Sequence, residues 1–158
     1  MAWTTPKTWS SYETVTAAMM NTYIRDNQNY LYDRTYLVPL ATPLTSTSWD
    51  GDAFSTTAKT KIDLSAVFGA PAGIKAALIR IVARDSGSSG FNAYVGLAPN
   101  NTDGSHALAV FPAGLANNSW DDNQGIVPCD ENGDIYYQIS ASGSGTMDVV
   151  IEIWGYWL

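Results

Sequence analysis

Apolar residues recur at helical spacing through residues 14–34, TVTAAMMNTYIRDNQNYLYDR, where Ala17, Met20, Ile24 and Leu31 fall at offsets 0, 3, 7 and 14. Thr14 and Thr16 both suit an N-cap, because a threonine hydroxyl accepts from the orphan amides of the turn that follows. No Gly or Pro interrupts the run before Pro39. The pattern predicts one amphipathic helix of roughly 25–30 Å. Asn27 occupies the missing place in the seam. Such an Asn fixes register and oligomer number when identical helices align. Alternatively, Asn27 lies on the solvent rim while Tyr23, Tyr30 and Tyr32 fold back onto their own domain. A seam this short cannot hold a coiled coil alone, so any self-association must be shared with the rest of the chain.

The pattern then changes. Residues 36–48, YLVPLATPLTSTS, carry Pro39 and Pro43 among threonines and read as an extended linker. From Trp49 onward the period is two. Thr60, Ile62 and Leu64 alternate, as do Phe91, Ala93, Val95 and Leu97; Ala107, Ala109 and Phe111 form a further candidate strand. Ile74 to Ala83 is apolar on nearly both faces, which predicts a central strand covered by two layers. Two more alternating runs, Ile135 to Ala141 and Met147 to Trp154, flank the turn cluster Ser142-Gly143-Ser144-Gly145, which predicts a hairpin. About seven or eight strands and one strong helix describe a mainly β protein. The expected architecture is an N-terminal amphipathic α-helix followed by an antiparallel, jelly-roll-like β-sandwich. The expected domains are residues 1–35 as an N-terminal attachment or oligomerisation segment, 36–48 as the linker and 49–158 as the sandwich.

Composition narrows the function. Of the 158 residues, 46% are hydrophobic and only 15% charged, so Ser, Thr, Asn and Gly must build much of the surface. That balance suits particle-surface and extracellular domains better than a cytosolic enzyme. A formal charge of −7 argues against nucleic acid or an anionic membrane as partner. The N-terminal MAWTTPKTW lacks the apolar core of a signal peptide, and no run reaches the length of a membrane span, so no membrane insertion is expected. Cys129 is the single cysteine, which excludes an intrachain disulfide.

The segment from Trp9 to Leu31, W-x5-TVTAAMMNTYIRDNxxYL, resembles the N-terminal segment of many tail and tail-fibre proteins of tailed bacteriophages. Those segments carry a Trp, a Thr-Ala-Ala helix start, and an Asn followed by Arg-Asp-Asn and Leu. The resemblance implies a virion structural protein assembled in the host cytoplasm. Its N-terminal segment would attach to other virion proteins or trimerise, with the remainder exposed for host attachment. It leaves open a tail-fibre or receptor-binding component against a capsid (head) decoration or head-fibre protein. It also implies a threefold assembly, so a homotrimer is expected, with the seam residues Met20, Ile24, Asn27 and Leu31 as the oligomerisation residues and further contacts between sandwich domains. A monomeric carbohydrate-binding module remains the competing class.

Candidate chemistry is sparse. His106 is the sole histidine, so any Ser-His-Asp arrangement would need it. Paired carboxylates at Asp121 and Asp122, Asp130 and Glu131, and Asp50 and Asp52 sit beside Gly or Asn in expected loops, where solvent keeps a carboxyl near its ordinary pKa. Asp130, Asn132 and Asp134 alternate like calcium ligands but lack the downstream bidentate Glu, and Asn132-Gly133 is a turn dipeptide. We therefore expect no enzyme, metal or cofactor. Host cell-surface glycan is a candidate ligand, with Trp120 stacking on a sugar ring and Asp121, Asp122 and Asn123 taking its hydroxyls; Trp49 is a weaker parallel. In each case the alternative is that the Trp plugs an end of the sandwich. Trp154, Tyr156 and Trp157 close the chain with aromatic surface that must be covered, by the domain's own sheet, a neighbouring protomer or a ligand. Gly155 between them marks a bulge or the close approach of another backbone.

Overall fold

A computed structural model describes residues 4–32, 36–46, 49, 58–87, 92–102, 104–112 and 119–158. The chain divides into two compact units, Met1–Tyr36 and Leu37–Leu158.

In the first unit the Thr16 hydroxyl accepts from the Met19 amide at 3.2 Å, which is the N-cap expected of it. An α-helical turn, Ala17–Met20 (α1), widens into a π-helical segment, Asn21–Arg25, and tightens again into Asp26–Tyr32 (α2). The uniform helix predicted from residue 14 is therefore shorter and interrupted. The π segment also departs from the single seam. Met20, Ile24 and Leu31 are exposed, while Asn27 is buried against its own chain. Its Oδ1 accepts from the Thr4 amide at 2.9 Å, and its Nδ2 donates to the Thr4 carbonyl at 2.8 Å. Asn27 thus pairs with a backbone residue as a strand neighbour would, rather than lying on the rim. Trp9 meets Tyr23 edge-on, with ring centroids 6.3 Å apart.

The second unit is a sandwich of two antiparallel four-stranded sheets. Its strands are β1 (Leu37–Leu44), β2 (Thr60–Ile62), β3 (Ala76–Asp85), β4 (Tyr94–Ala98), β5 (Leu108–Val110), β6 (Asp121–Pro128), β7 (Ile135–Ser140) and β8 (Met147–Trp157). One sheet runs β1-β8-β3-β6 and the other β2-β7-β4-β5. First pairs with last, second with seventh, third with sixth and fourth with fifth. That nesting is a long hairpin rolled up on itself, the jelly roll anticipated from the strand count.

Alternation sets the core. Along β3, Ala77, Ile79, Ile81, Ala83 and Asp85 are buried and the residues between them are half-buried. Ile135, Tyr137 and Ile139 of β7, with Met147, Ile151 and Ile153 of β8, meet them from both sheets. Several local expectations fail for identifiable reasons. The 36–48 segment is not a linker, because Leu37–Leu44 pairs with β8; Pro39 and Pro43 are tolerated there because β1 is an edge strand. The run from Thr60 leaves the strand after Ile62. Asp63 accepts from the Ala66 amide at 2.9 Å and caps a short helix, α3 (Leu64–Phe68), which Gly69 closes at φ 71°. In β5 the inward residues are Leu108 and Val110, not Ala107, Ala109 and Phe111, a slip of one residue that reverses the faces. The turn at Ser142–Gly145 does not close a hairpin, since β7 and β8 lie in different sheets. It is tied down by Asp85, whose carboxylate accepts from the Ser142 amide at 2.7 Å, the Ser142 hydroxyl and the Gly87 amide. Phe91 lies outside the described residues.

Candidate interaction surface

The outward face of the β1-β8-β3-β6 sheet is built by register. Arg80 stands between Gln124 and Glu152, Val82 between Asp122 and Val150, and Leu78 between Ile126 and Gly155. At one end Trp157 pairs with both Leu37 and Ala76. Leu37, Ile126, Val150 and Trp154 are all exposed. Among the described residues, the strand expected to be covered by two layers has one face buried and the other half-buried.

The charged groups described on that face pair with one another. Arg80 bonds Asp122 at 3.1 Å and Glu152 at 3.3 Å, joining the three inner and edge strands β6, β3 and β8. Arg84 pairs with Asp148 and lies 4.8 Å from the centroid of the Trp120 ring. Trp154 Nε1 donates to Glu152 at 3.1 Å.

Gly155 behaves as anticipated. The β3–β8 register slips beside it, leaving Trp154 as the extra residue, and a Cβ there would stand 3.0 Å from the Val38 carbonyl oxygen. The bulge returns Tyr156 to the interior, where it joins the core, and leaves Trp154 exposed and Trp157 half-buried. The three terminal aromatics named from sequence are thus divided between core and surface.

The proposed glycan set is likewise divided. Asp121–Asn123 belongs to β6 rather than to a loop, so neighbouring side chains alternate between faces. Asp122 is paired with Arg80, and Asn123 donates to the Ala109 carbonyl of the other sheet at 2.8 Å. Trp120 stays exposed beside Arg84. These residues do not converge on one ligand. Trp49 packs edge-on against Tyr137 at 5.4 Å and plugs the sandwich. Asp50, Asp52, Asn117 and Asn118 lie outside the described residues.

The outward face of the other sheet is different. The His106 ring lies over Gly96, where a Cβ would come within 2.1 Å of it, and beside Tyr94 at 5.3 Å. Tyr94 in turn stands 5.8 Å from exposed Phe111. Burial first, then the charge of Lys59, holds His106 below the usual imidazole range, against an opposing hydrogen bond from Gln138. The acidic turn is closed on itself: Asp130 accepts from the amides of Asn132 and Asp134, and Asp134 pairs with Lys61 at 2.8 Å. Burial pushes the Cys129 thiol up to about 12, so it is held protonated at neutral pH. Among the described residues no cluster of three or more His, Cys, Asp or Glu could hold a metal ion, and no helix is long and apolar enough to cross a membrane.

In comparisons with known proteins, no family model matches the chain and no curated protein matches it significantly.

Proposed function

We propose that this chain is a non-enzymatic structural protein of a bacteriophage virion, a homotrimeric tail-fibre or receptor-binding component displayed on the particle surface. The observation that carries the reading is the N-terminal unit. Met20, Ile24 and Leu31 stand exposed on a helix whose own unit buries no apolar side chain among its described residues, ahead of a sandwich that has an apolar core. An isolated helix this short is marginal in water, so the unit makes physical sense as a segment received by something else. The resemblance of Trp9 to Leu31 to phage tail segments names the recipient as other virion proteins. The sandwich supplies the displayed body.

A head-decoration or head-fibre role is the second reading, favoured by the broad outer face of the β1-β8-β3-β6 sheet, which suits lateral contact better than a ligand cleft. Gold labelling of purified particles with an antibody to the sandwich tests both. Label at the tail is expected; label over the capsid would replace the first reading with the second, and unlabelled particles would remove both.

A further inference from the structure

We infer that the outward face of the β1-β8-β3-β6 sheet is the surface through which copies of this chain pack on one another. The inference rests on the homotrimeric reading above and gives that assembly an address in the sandwich.

The first argument is exposure in one place. Ile126 is 53% exposed, Val150 42%, Leu37 42% and Trp154 38%. Strand register gathers Ile126, Leu78, Trp154, Trp157 and Leu37 towards one end of the face and sets Val82 and Val150 beyond the Gln124-Arg80-Glu152 row, so two apolar patches flank one polar row. Apolar area exposed on one face in this way is a mark of an interaction surface. The second is size. Four strands about 4.8 Å apart and a central strand roughly 33 Å long give a face of roughly 600 Å². Doubled by a second copy, that reaches the lower end of what a stable association buries, roughly 1,200 Å².

The third argument identifies the occupant. A face that must meet itself cannot carry a large net charge, because like charges would stand opposed. The chain as a whole has a formal charge of −7. On this face, however, Arg80 is neutralised by Asp122 and Glu152, and Arg84 by Asp148. Two arginines against three carboxylates leave the described ion pairs of this face at −1, a weak field for a basic partner and no attraction for an anionic one. A second copy meets a near-neutral surface like its own. Polar atoms are prepared for burial as well. The Trp154 indole N–H already has Glu152 as acceptor, so covering this ring strands no donor. Finally, the outward residues of β3 include Ala76, Leu78 and Val82 beside Arg80 and Arg84, and all five are only half-buried, whereas the inward ones are fully covered. A neighbouring copy supplies the missing layer.

The test is the mass of the full chain at micromolar concentration, by light scattering after size exclusion. The proteins compared are wild type, Val150→Glu, Ile126→Glu and Phe111→Glu, with circular dichroism and thermal melts run alongside. All three sites are exposed, so folded variants are expected, and Phe111 lies off this face as the control. The expected result is an oligomeric wild type and Phe111→Glu, with association weakened at least tenfold in Val150→Glu and Ile126→Glu. Should either folded variant of this face keep wild-type mass, the inference is overturned while the homo-oligomer reading survives. A monomeric wild type would overturn the homotrimer itself, and this surface with it.

Discussion

Between residues 4 and 31 the one buried residue is Asn27, whereas the sandwich buries a hydrophobic cluster running from Ile62 to Ile153. The first unit is held by directional contacts: a threonine cap, a carboxylate on a turn, one amide clasping Thr4. The second is held by area removed from water. Hydrogen bonds of this kind give up one partnership with water for each they form, so their net contribution is small. Apolar burial has no such exchange to make. The difference separates a unit built on an apolar core from one built on individual polar contacts.

The largest effect that would sharpen this contrast is a cavity in the sandwich. Ile79→Ala, at a position fully removed from solvent, should lower stability by about 4 kcal/mol in urea titration. Amide exchange in the first unit should stay unchanged; a loss of protection there as well would break the contrast.

Next comes Asp85, the buried carboxylate that binds the end of β3 to the turn before β8. Asp85→Ala should cost about 3 kcal/mol, because it strands the Ser142 and Gly87 amides. Burial alone would raise this carboxyl. The Ser142 hydroxyl and amide, followed by Gly87 and Thr146, outweigh burial and lower it. A lowered folded-state pKa means that its stabilisation is present above the ordinary carboxylate range and fades as pH falls through the folded value. Asp85→Asn should therefore narrow its deficit against wild type in acid, as urea midpoints at pH 7 and pH 3 would reveal.

Smaller effects belong to the first unit. Asn27→Ala should release Thr4 from exchange protection and cost about 2 kcal/mol locally, with no shift in the sandwich melt. Thr16→Ala should cost about 1 kcal/mol of helix, read as faster exchange at Met19. If either substitution lowered the melting temperature of the sandwich, the two units would not be independent.

Sequence legibility follows the same divide between local and distant causes. The Thr16 cap and the alternation of β7 and β8 were readable, since each depends on residues a few places apart. So was the bulge at Gly155, where a small residue interrupts a strand pattern. Strand β6 was not: DDNQGIVP contains a single fully buried position, Val127, and owes its extended form to pairing with β3. β1 was masked by its prolines, which only the knowledge that it is an edge strand makes acceptable. In β5 the alanines at 107 and 109 carry too little apolar contrast to set the phase against Leu108 and Val110. Of the candidate surface, Trp154 and Trp157 stood out because they are large and terminal. That Ile126 lies beside Leu78, and Val150 beside Val82, required the strand order, which links residues dozens of positions apart.

Strand pairing also brings Leu37 opposite Trp157, so the chain passes into the sandwich and out of it through adjacent strands at one corner. Cross-strand neighbours stand about 5 Å apart. A body with both its doors on one threshold is portable: it can be spliced into a tight turn of an unrelated scaffold without prising that scaffold open.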